Sequence, residues 1–317
     1  MHYGIIGMGP VGATFAALLT AGGKRVSVLD SNPHRAELLR KEPLTITGAY
    51  KSEAQLQEVF TAFDDFVASD PEVVLIAIKT HALRDVLGRV KNSALKTKAL
   101  VSCQNGIDTE KEIAEAFGED HAYRMVLNFG VSYSAANEVS VNFLAEPHFL
   151  ASVSRGQGQL AGKIAEELNQ VGFRVELIDD IATESFKKAI LNATLSSICT
   201  LTRMTMSEVM NDPELQKMVR EMIRESMWIC KVSDVDLGEE FLDYAVDYLN
   251  KGGNHKPSML VDIERERQTE IGYLAGKLYE YAAKKDLPVP VTQTMFYLVK
   301  SLEKSVMLHK YVHGSNE

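Results

Sequence analysis

The sequence predicts an α/β fold whose N-terminal part holds a parallel sheet and whose second part is all-helical. Three observations support this prediction. A glycine-rich turn joins an apolar strand to an apolar helix at the start of the chain. Continuous apolar runs at 73–78 and 99–103 fit parallel strands that are buried on both faces. After about residue 180 the pattern becomes almost wholly helical, so the predicted domains are residues 1–180 and 181–317.

The glycine-rich turn lies between apolar residues 3–6 and the apolar run 13–19. Gly7 permits a sharp turn, Gly9 lets the backbone approach a diphosphate, and Gly12 lets the helix lie close to the strand. The helix N-terminus then offers N–H groups and a partial positive charge to the phosphates. The same glycines alone would also fit a plain turn, but their setting predicts a Rossmann dinucleotide-binding domain. The cofactor-binding residues predicted here are Gly7, Met8, Gly9, Pro10, Val11 and Gly12.

Composition restricts the function classes. The chain has 317 residues, a net charge of −9 and no long basic run, which argues against a nucleic-acid or anionic-membrane partner. No apolar stretch is long enough to span a bilayer, and residues 4–22 lack the basic segment of a signal peptide, so a cytoplasmic protein is expected. Three widely spaced cysteines and histidines without ligand spacing predict neither disulfides nor a metal site.

Asp30 follows the second predicted strand, Arg25–Leu29. An acidic residue about 20 positions beyond the glycines usually bonds the ribose hydroxyls of NAD and would repel the extra phosphate of NADP. Asp30 is therefore predicted to contact the cofactor and to favour NAD. The alternative is a cap of the turn or helix at Ser31-Asn32-Pro33, and Arg35 leaves NADP open as a cofactor.

The remaining elements follow from apolar periodicity and turn residues. The segment 55–66 stays ambiguous between helix and strand. Strands are predicted at 44–47, 123–132, 138–144, 148–153 and 173–177, and helices at 33–41, 108–117 and 158–171. In the second part, helices are predicted at 181–201, 207–232, 238–250, from Thr269 to about 285, and at 291–310, with a clear break at 251–257.

Two polar segments follow buried strands at the edge where open α/β sheets place ligands. Lys79 follows the run 73–78 and is a candidate cofactor contact, although a solvated loop lysine would look the same. Asn105 lies in Gln104-Asn105-Gly106 after the run 99–103. Asn-Gly alone is typical of a turn, but in this place Asn105 is predicted to face the nicotinamide and the substrate.

The first helix of the second part carries a polar stripe. Glu184, Lys188, Asn192 and Ser196 recur every four residues, which stacks them on one face of a helix that is otherwise mostly apolar. Burial disfavours the charged form of an amine, so Lys188 should have a lowered pKa and would suit a general acid near neutral pH. The alternative is a helix edge with a Glu184–Lys188 surface pair.

Five motifs together resemble the ketopantoate reductase (2-dehydropantoate 2-reductase) family over nearly the whole chain. The most specific are the last two, which match in residue type and spacing. The motifs are Gly7-x-Gly9-x-x-Gly12, Lys79-Thr80, Gln104-Asn105-Gly106, Lys188-x-x-x-Asn192, and Ser258-Met259-Leu260-x-Asp262-x-x-x-x-Arg267-x-Thr269-Glu270-Ile271.

The resemblance implies a Rossmann domain, a helical second domain, NAD(P)H as cofactor and reduction of a 2-oxo acid in pantothenate biosynthesis. By analogy, Lys188 donates a proton to the substrate carbonyl, and Glu270 orients Lys188 and bonds a substrate hydroxyl. Lys79 contacts the cofactor. The expected small-molecule partner is a 2-oxo acid. The oligomeric state is left open between a monomer and a homodimer. The residues expected to hold the substrate are Asn105, Asn192 and Ser258.

The chain departs from the family pattern in two respects. The family is typically NADP-dependent and carries a basic residue just after the second strand. Asp30-Ser31 stands at that position here, and this difference favours NAD. Ser196-Ser197 replaces an Asn-Pro pair, and His255 stands where asparagine is common, so the pocket should be less polar. The closest rival is therefore an NAD-dependent 2-hydroxy acid dehydrogenase of the same fold, acting on another branched or aromatic substrate. A nucleotide-binding sensor without catalysis is the rival from another class.

Overall fold

The computed structural model describes the backbone of residues 1–313 and all of their side chains except those of 155 and 309–313. The chain divides into two compact units. The first comprises residues 1–104 and 108–181, and the second comprises residues 105–107 and the chain from 182 onward. No helix in the described part is long and apolar enough to cross a membrane.

The first unit combines parallel strands with flanking helices. Its strands are β1 (His2–Ile6), β2 (Arg25–Leu29), β3 (Leu44–Gly48), β4 (Ser52–Ala54), β5 (Glu58–Phe60), β6 (Val73–Ile76), β7 (Ala99–Ser102), β8 (Ala122–Val126), β9 (Phe129–Ala135), β10 (Glu138–Leu144), β11 (His148–Ser152) and β12 (Val175–Leu177). Its helices are α1 (Pro10–Ala21), α2 (Pro33–Lys41), α3 (Phe63–Ala68), α4 (Leu83–Lys91), α5 (Thr109–Phe117) and α6 (Gly158–Gln170).

Within the described residues, the larger sheet has eight strands in the order β12-β11-β8-β7-β6-β1-β2-β5. Strand pairs from β5 to β8 are parallel, whereas β11 runs antiparallel to β8. The chain winds outward in one direction from β1 through β2 and in the other from β6 through β7. The switch between these directions therefore lies between β1 and β6, where such folds bind their ligands beyond the carboxyl ends of the strands.

Alternate residues of the central strands enter two different cores, as expected for a sheet covered on both faces. Ile5 packs in one core with α1 and α6, and its neighbour Ile6 packs in the other with α3, α4 and α5. Leu75 and Ile76 of β6 divide in the same way. The larger sheet thus provides a rigid support for the loops at its edge. The expectation of an N-terminal Rossmann domain with an α/β fold is confirmed.

A second sheet in the order β4-β3-β10-β9 was not anticipated as a separate layer. The predicted strand 123–132 is in fact two strands, because β8 pairs in the larger sheet and β9 pairs in the smaller one. Asn128 marks the break: its amide N–H donates to His148 Nδ1 and its side chain donates to the carbonyl of Pro147. The ambiguous segment 55–66 contains β5 and the start of α3.

The second unit is helical in its described residues, as predicted. Its longest buried helix, α7, carries the polar stripe. Its helices are α7 (Ile181–Thr202), α8 (Met206–Asn211), α9 (Pro213–Val232), α10 (Phe241–Asn250), α11 (Ser258–Glu264), α12 (Ala275–Ala283) and α13 (Pro290–His313).

Two helix predictions in this unit were wrong. The expected helix 207–232 is interrupted at Asp212, whose carboxylate accepts the N–H groups of Glu214 and Leu215 and so begins a new helix at Pro213. The helix expected from Thr269 to about 285 begins later, because residues 271–273 form a short 3₁₀ turn and α12 begins at Ala275. The contacts that hold this turn concern the candidate site.

Candidate active site

The glycine turn has the geometry that a dinucleotide requires. Gly7 has φ = +100°, and a Cβ there would lie 2.6 Å from the side chain of Ile78. A Cβ on Gly12 would lie 2.0 Å from the carbonyl oxygen of Gly7, so α1 approaches the turn more closely than any side chain allows. At Gly9, by contrast, the nearest atom to a Cβ would be 3.8 Å away. The turn is therefore packed at Gly7 and Gly12 and open at Gly9.

The helix that follows suits an anion. Helix α1 begins with Pro10 after Gly9, and its first turn contains no acidic residue. Its N-terminal N–H groups and dipole thus face the open side of the turn without a competing carboxylate. Met8, Pro10 and Val11 complete the predicted phosphate-binding turn, and these observations fit a nucleotide diphosphate.

Asp30 lies at the end of β2 and is almost fully buried, with 1% of its surface exposed. Its carboxylate accepts two hydrogen bonds from the Arg35 guanidinium, at 2.6 Å to Oδ2 and 2.8 Å to Oδ1. Oδ1 also accepts the N–H of Asn32, and Asn32 rather than Asp30 caps α2. The negative charge that was expected to favour NAD is therefore paired with a positive one.

Tyr133 was not found from the sequence. Its hydroxyl donates to the carbonyl of Met8 at 2.8 Å, and its ring lies under the guanidinium of Arg35, 5.2 Å from ring centroid to Cζ. Strand β9 of the smaller sheet thus supports both the glycine turn and the Asp30–Arg35 pair. The alternating pattern of β9 gives no local signal for this role of Tyr133, because Met8, which its hydroxyl binds, lies more than a hundred residues away in the sequence.

Lys79 lies beyond the carboxyl end of β6, at the switch point of the larger sheet. It directly precedes a short 3₁₀ turn, Thr80–Ala82, and its side chain is partly exposed. The structure therefore places Lys79 on the same edge as the glycine turn.

Four of the predicted substrate and catalytic residues line one small cavity in the second unit. They come from three separate segments of the sequence. Asn105 belongs to this unit by its contacts, although it follows β7 in the chain. Of the other four lining residues, Ser196 belongs to the predicted polar stripe and Met259 and Asp262 belong to the family motif, whereas Leu274 was not singled out from the sequence. The predicted residues are Asn105, Asn192, Ser258 and Glu270, and the others are Ser196, Met259, Asp262 and Leu274.

Hydrogen bonds join the walls of this cavity. The side chain of Asn192 donates to Asn105 Oδ1 at 3.2 Å, which links α7 to the 105–107 segment. The N–H of Ile107 donates to the carbonyl of Tyr273 at 3.0 Å, which links that segment to the turn after Glu270. Asp262 is 2% exposed and pairs with Arg267 at 3.1 Å.

Lys188 lies on α7 one turn before Asn192 but is not among the residues that line the cavity. Its ammonium group donates to the hydroxyl of Tyr248 at 3.4 Å and lies 5.8 Å from the centre of that ring. Burial lowers the pKa of Lys188 from 10.5 to about 8, as the sequence analysis anticipated. In the described structure Lys188 is held by Tyr248 and makes no ion pair with Glu270.

The alternative role for the stripe, a Glu184–Lys188 surface pair, is not observed. Glu184 pairs instead with Lys187, at 2.9 Å. The described residues contain no group of histidines, cysteines and carboxylates arranged to hold a metal ion.

Both units match models of known protein families. Residues 3–149 match the model described as "Ketopantoate reductase PanE/ApbA", and residues 180–303 match "Ketopantoate reductase PanE/ApbA C terminal". The chain belongs to the ketopantoate reductase family. This family consists of NAD(P)-dependent oxidoreductases.

Individual members of the family are distant from this chain. The 2-dehydropantoate 2-reductase of Pyrococcus abyssi is 23% identical over 299 residues, covering 94% of this chain and 97% of that protein. Among solved structures, 2-dehydropantoate 2-reductase from Geobacter metallireducens has a TM-score of 0.86 at 20% identity, covering 95% of this chain and 99% of that one. D-Mandelate dehydrogenase with NADH and anilino(oxo)acetate has a TM-score of 0.85 at 21% identity, covering 96% and 99%. At such identities the structures establish the fold alone.

Proposed function

We propose that this member of the ketopantoate reductase family reduces a small 2-oxo acid to the 2-hydroxy acid, with 2-dehydropantoate as the substrate and pantoate as the product. One observation carries the proposal. Three distant segments bring two amides, a hydroxyl and a carboxylate to one cavity, and a half-buried lysine with a pKa of about 8 lies one helical turn away. Such a set can bind a small polar acid and supply a proton near neutral pH.

The residues divide the work as follows. The bound nicotinamide nucleotide supplies the hydride. Lys188 leaves Tyr248, donates its proton to the oxygen of the reduced carbonyl and stabilises the charge that develops there. Glu270 orients the ammonium group of Lys188 and accepts a hydrogen bond from a substrate hydroxyl. Asn105, Asn192 and Ser258 hold the substrate.

The first unit, within residues 1–180, is proposed to bind the nucleotide through the glycine turn, Asp30 and Lys79, with Asn105 close to the nicotinamide. NADH remains the proposed cofactor, because an acidic residue rather than a basic one follows β2. Pairing with Arg35 offsets the charge of Asp30, so we expect a preference for NADH below about tenfold, which corresponds to 1.4 kcal/mol of differential binding.

A second candidate is an NAD-dependent 2-hydroxy acid dehydrogenase with a bulkier branched or aromatic substrate. The composition of the cavity favours it at one point, because a small hydroxyl, Ser196, stands where the family pattern has an amide. One solved structure with this fold, D-mandelate dehydrogenase, carries an aromatic 2-hydroxy acid in its name.

The decisive experiment measures the absorbance of the reduced nicotinamide with purified protein and a panel of 2-oxo acids, using NADH and NADPH in parallel. Turnover of 2-dehydropantoate at the highest kcat/KM supports the main proposal. Higher kcat/KM on an aromatic or bulkier branched 2-oxo acid would move the assignment to the second candidate. Nucleotide binding without turnover of any 2-oxo acid would indicate a sensor.

A homodimer and a cytoplasmic location stay predictions. Trp228 on α9 and Tyr297 and Leu298 on α13 each expose 49% of their surface, which is unusual for large apolar side chains and is compatible with a covered face. Light scattering after gel filtration distinguishes a 35.1 kDa monomer from a species of twice that mass.

A further inference from the structure

Glu303 is a buried carboxylate on the C-terminal helix α13, with 4% of its surface exposed. It follows Met295 and Val299 at four-residue spacing, so it occupies the apolar face of the helix, where both of those residues are buried. A carboxylate in such a position is costly unless it is fully hydrogen-bonded. The hydrogen-bond partners of Glu303 therefore indicate which part of the structure it stabilises.

The partners of Glu303 lie next to the candidate site. Its Oε2 accepts both the backbone N–H and the hydroxyl of Thr269, at 2.8 and 2.6 Å. Its Oε1 accepts the ammonium group of Lys300 at 2.6 Å. Burial alone would raise the pKa of this carboxyl, but the hydrogen bonds from Lys300 and Thr269 hold the pKa below its ordinary value. Glu303 is thus charged and directed at the residue before Glu270.

The helix that carries Glu303 is itself anchored. At its start, the N–H groups of Val291 and Thr292 donate to the two carboxylate oxygens of Glu225 on α9, at 2.9 and 2.7 Å. An acidic group at a helix N-terminus is favourable because it satisfies free N–H groups and complements the dipole. Helix α13 is therefore a fixed support rather than a loosely packed terminal segment.

The segment held by Glu303 has little regular structure of its own. Between α11 and α12 the chain passes through a left-handed residue, Glu266 (φ = +52°), and then the 3₁₀ turn at 271–273. The N–H of Ile271 donates to the hydroxyl of Thr269 at 3.3 Å, so the hydroxyl bound by Glu303 also begins this turn. The carbonyl of Tyr273 then accepts the N–H of Ile107, close to Asn105.

We propose that Glu303 is a positioning residue for the active site: it fixes the Thr269–Tyr273 turn, and through that turn it places Glu270 and the Asn105 segment against the same cavity. The inference rests on the proposed function for its kinetic consequence but not for its structural one. Glu303 has no contact with the cavity and acts through Thr269. This accounts for a charged group on the apolar face of the last helix.

The test compares E303Q with the wild-type protein. Glutamine keeps the size of the side chain but loses the charge that pairs with Lys300 and with the N–H and hydroxyl of Thr269. We expect kcat/KM for the 2-oxo acid to fall about 10- to 100-fold, the effect of a misplacement near 1 Å, while the dissociation constant of the nicotinamide nucleotide stays at the wild-type value. In an E270Q background, the same change should cost less than about threefold, because residues that act through one another are not additive.

Variants at Thr269 provide the matched controls. T269S keeps the hydroxyl and should retain activity, whereas T269V should reproduce the loss seen in E303Q. E221Q removes an exposed carboxylate from α9, which pairs with Arg224, and should change nothing. Full activity of E303Q, or a full additional loss in the E270Q background, would overturn the proposal.

Amide hydrogen exchange tests the same inference without turnover. E303Q should speed exchange at Thr269 and also at Ile107, whose N–H binds the far end of the turn. Unchanged exchange at Ile107 would overturn the positioning role. If the wild-type protein reduces no 2-oxo acid at all, the proposed function fails, and the exchange measurement alone decides on Glu303.

Discussion

The ammonium group of Lys188 lies 3.4 Å from the hydroxyl of Tyr248, on a helix that the sequence analysis did not connect with the site. Tyr248 is on α10 and Lys188 on α7, and burial raises the pKa of the tyrosine to about 12, so it stays neutral at working pH. A neutral hydroxyl and an aromatic face can hold a buried ammonium group without the permanent charge of a carboxylate. Lys188 is therefore held close to the cavity without being neutralised.

Replacing Lys188 by methionine should separate catalysis from stability. Removal of a general acid costs about 10²- to 10⁴-fold in rate, so kcat for 2-oxo acid reduction should fall by that amount with nucleotide affinity unchanged. Because burial disfavours the charged amine, K188M should also raise the melting temperature at pH 7. K188R retains a charge but, with its much higher pKa, should not restore turnover. Near-normal turnover of K188M would disprove the proton-donor role.

The pKa of Lys188 also predicts the pH profile. Reduction needs the protonated amine, so kcat/KM, which reports the free enzyme, should be constant below pH 8 and fall as the pH rises through about 8. Oxidation of the 2-hydroxy acid needs the neutral amine and should show the opposite slope. Folding lowers this pKa from 10.5, so the unfolded chain binds the proton more tightly between pH 8 and 10.5. This group therefore makes the free energy of unfolding rise with pH in that window.

Tyr248 provides the control for that profile. Its hydroxyl accepts a hydrogen bond from the charged amine and so favours the charged form. Y248F should move the midpoint of the kcat/KM profile below pH 8 by less than about one unit, since good hydrogen bonds to charged groups contribute about 1.5–3 kcal/mol and this one is long. A midpoint that moves upward would contradict the assignment of the titration to Lys188.

The sequence was most informative where local chemistry decides the structure. Strand β2 and helix α2 have the predicted bounds, because Asn32 and Pro33 start the helix and the strand Arg25–Leu29 contains two β-branched valines. The motif residues Asn105, Asn192, Ser258 and Glu270 line one cavity. They could be singled out from the sequence because their motifs are distinctive in residue type and spacing. Their individual roles remain predictions that the variants described here test.

Contacts between distant segments could not be predicted in the same way. The helix expected from Thr269 begins only at Ala275, because distant parts of the chain hold the segment before it: Glu303 accepts the N–H and hydroxyl of Thr269, and Ile107 donates its N–H to the carbonyl of Tyr273. The smaller sheet depends on pairing of β3 with β10, which no local pattern encodes. A buried Glu303 at apolar spacing after Met295 and Val299 was the available signal, since a charge on an apolar stripe needs a partner.

The glycines of the turn predict opposite outcomes for two alanine variants. A methyl group at Gly12 would meet the Gly7 carbonyl oxygen at 2.0 Å, so G12A should destabilise the fold. Gly9 has φ = −68°, which any residue adopts, and a methyl group there meets nothing closer than 3.8 Å, so G9A should fold normally. G9A should nevertheless bind the nucleotide at least about tenfold more weakly, because its methyl group occupies the space the diphosphate approaches.

Thermal unfolding and nucleotide titration measure the two effects separately. G88A is the matched control: a methyl group at Gly88 in α4 would meet no atom within 4 Å. Alanine in a helix is more stable than glycine by about 0.5–1 kcal/mol, so G88A should melt slightly higher and bind the nucleotide normally. If G9A bound the nucleotide like the wild-type protein, the diphosphate would not lie against this turn.

The Asp30–Arg35 pair predicts how cofactor choice can be changed. Arg35 is the ion-pair partner of the buried Asp30 carboxylate, so R35Q leaves that charge uncompensated. The 2′-phosphate of NADPH would then meet a bare negative charge, and its affinity should fall more than about tenfold, whereas that of NADH should change less than about threefold. D30N removes the charge and should shift the preference towards NADPH, with Arg35 released to bind the phosphate. K41Q on the same helix removes an exposed pair with Glu37 and should alter neither affinity.

Breaking a buried ion pair from one side costs about 3–5 kcal/mol, so R35Q should also melt at a lower temperature than D30N. Binding measured by fluorescence titration with NADH and NADPH at two salt concentrations separates charge from folding, since salt screens the repulsion between Asp30 and the phosphate. Equal weakening of both nucleotides in R35Q would mean that the pair only supports the fold. The opposite shifts of R35Q and D30N follow only if the 2′ position of the ribose faces this pair, so they would locate the adenosine end of the cofactor at the end of β2.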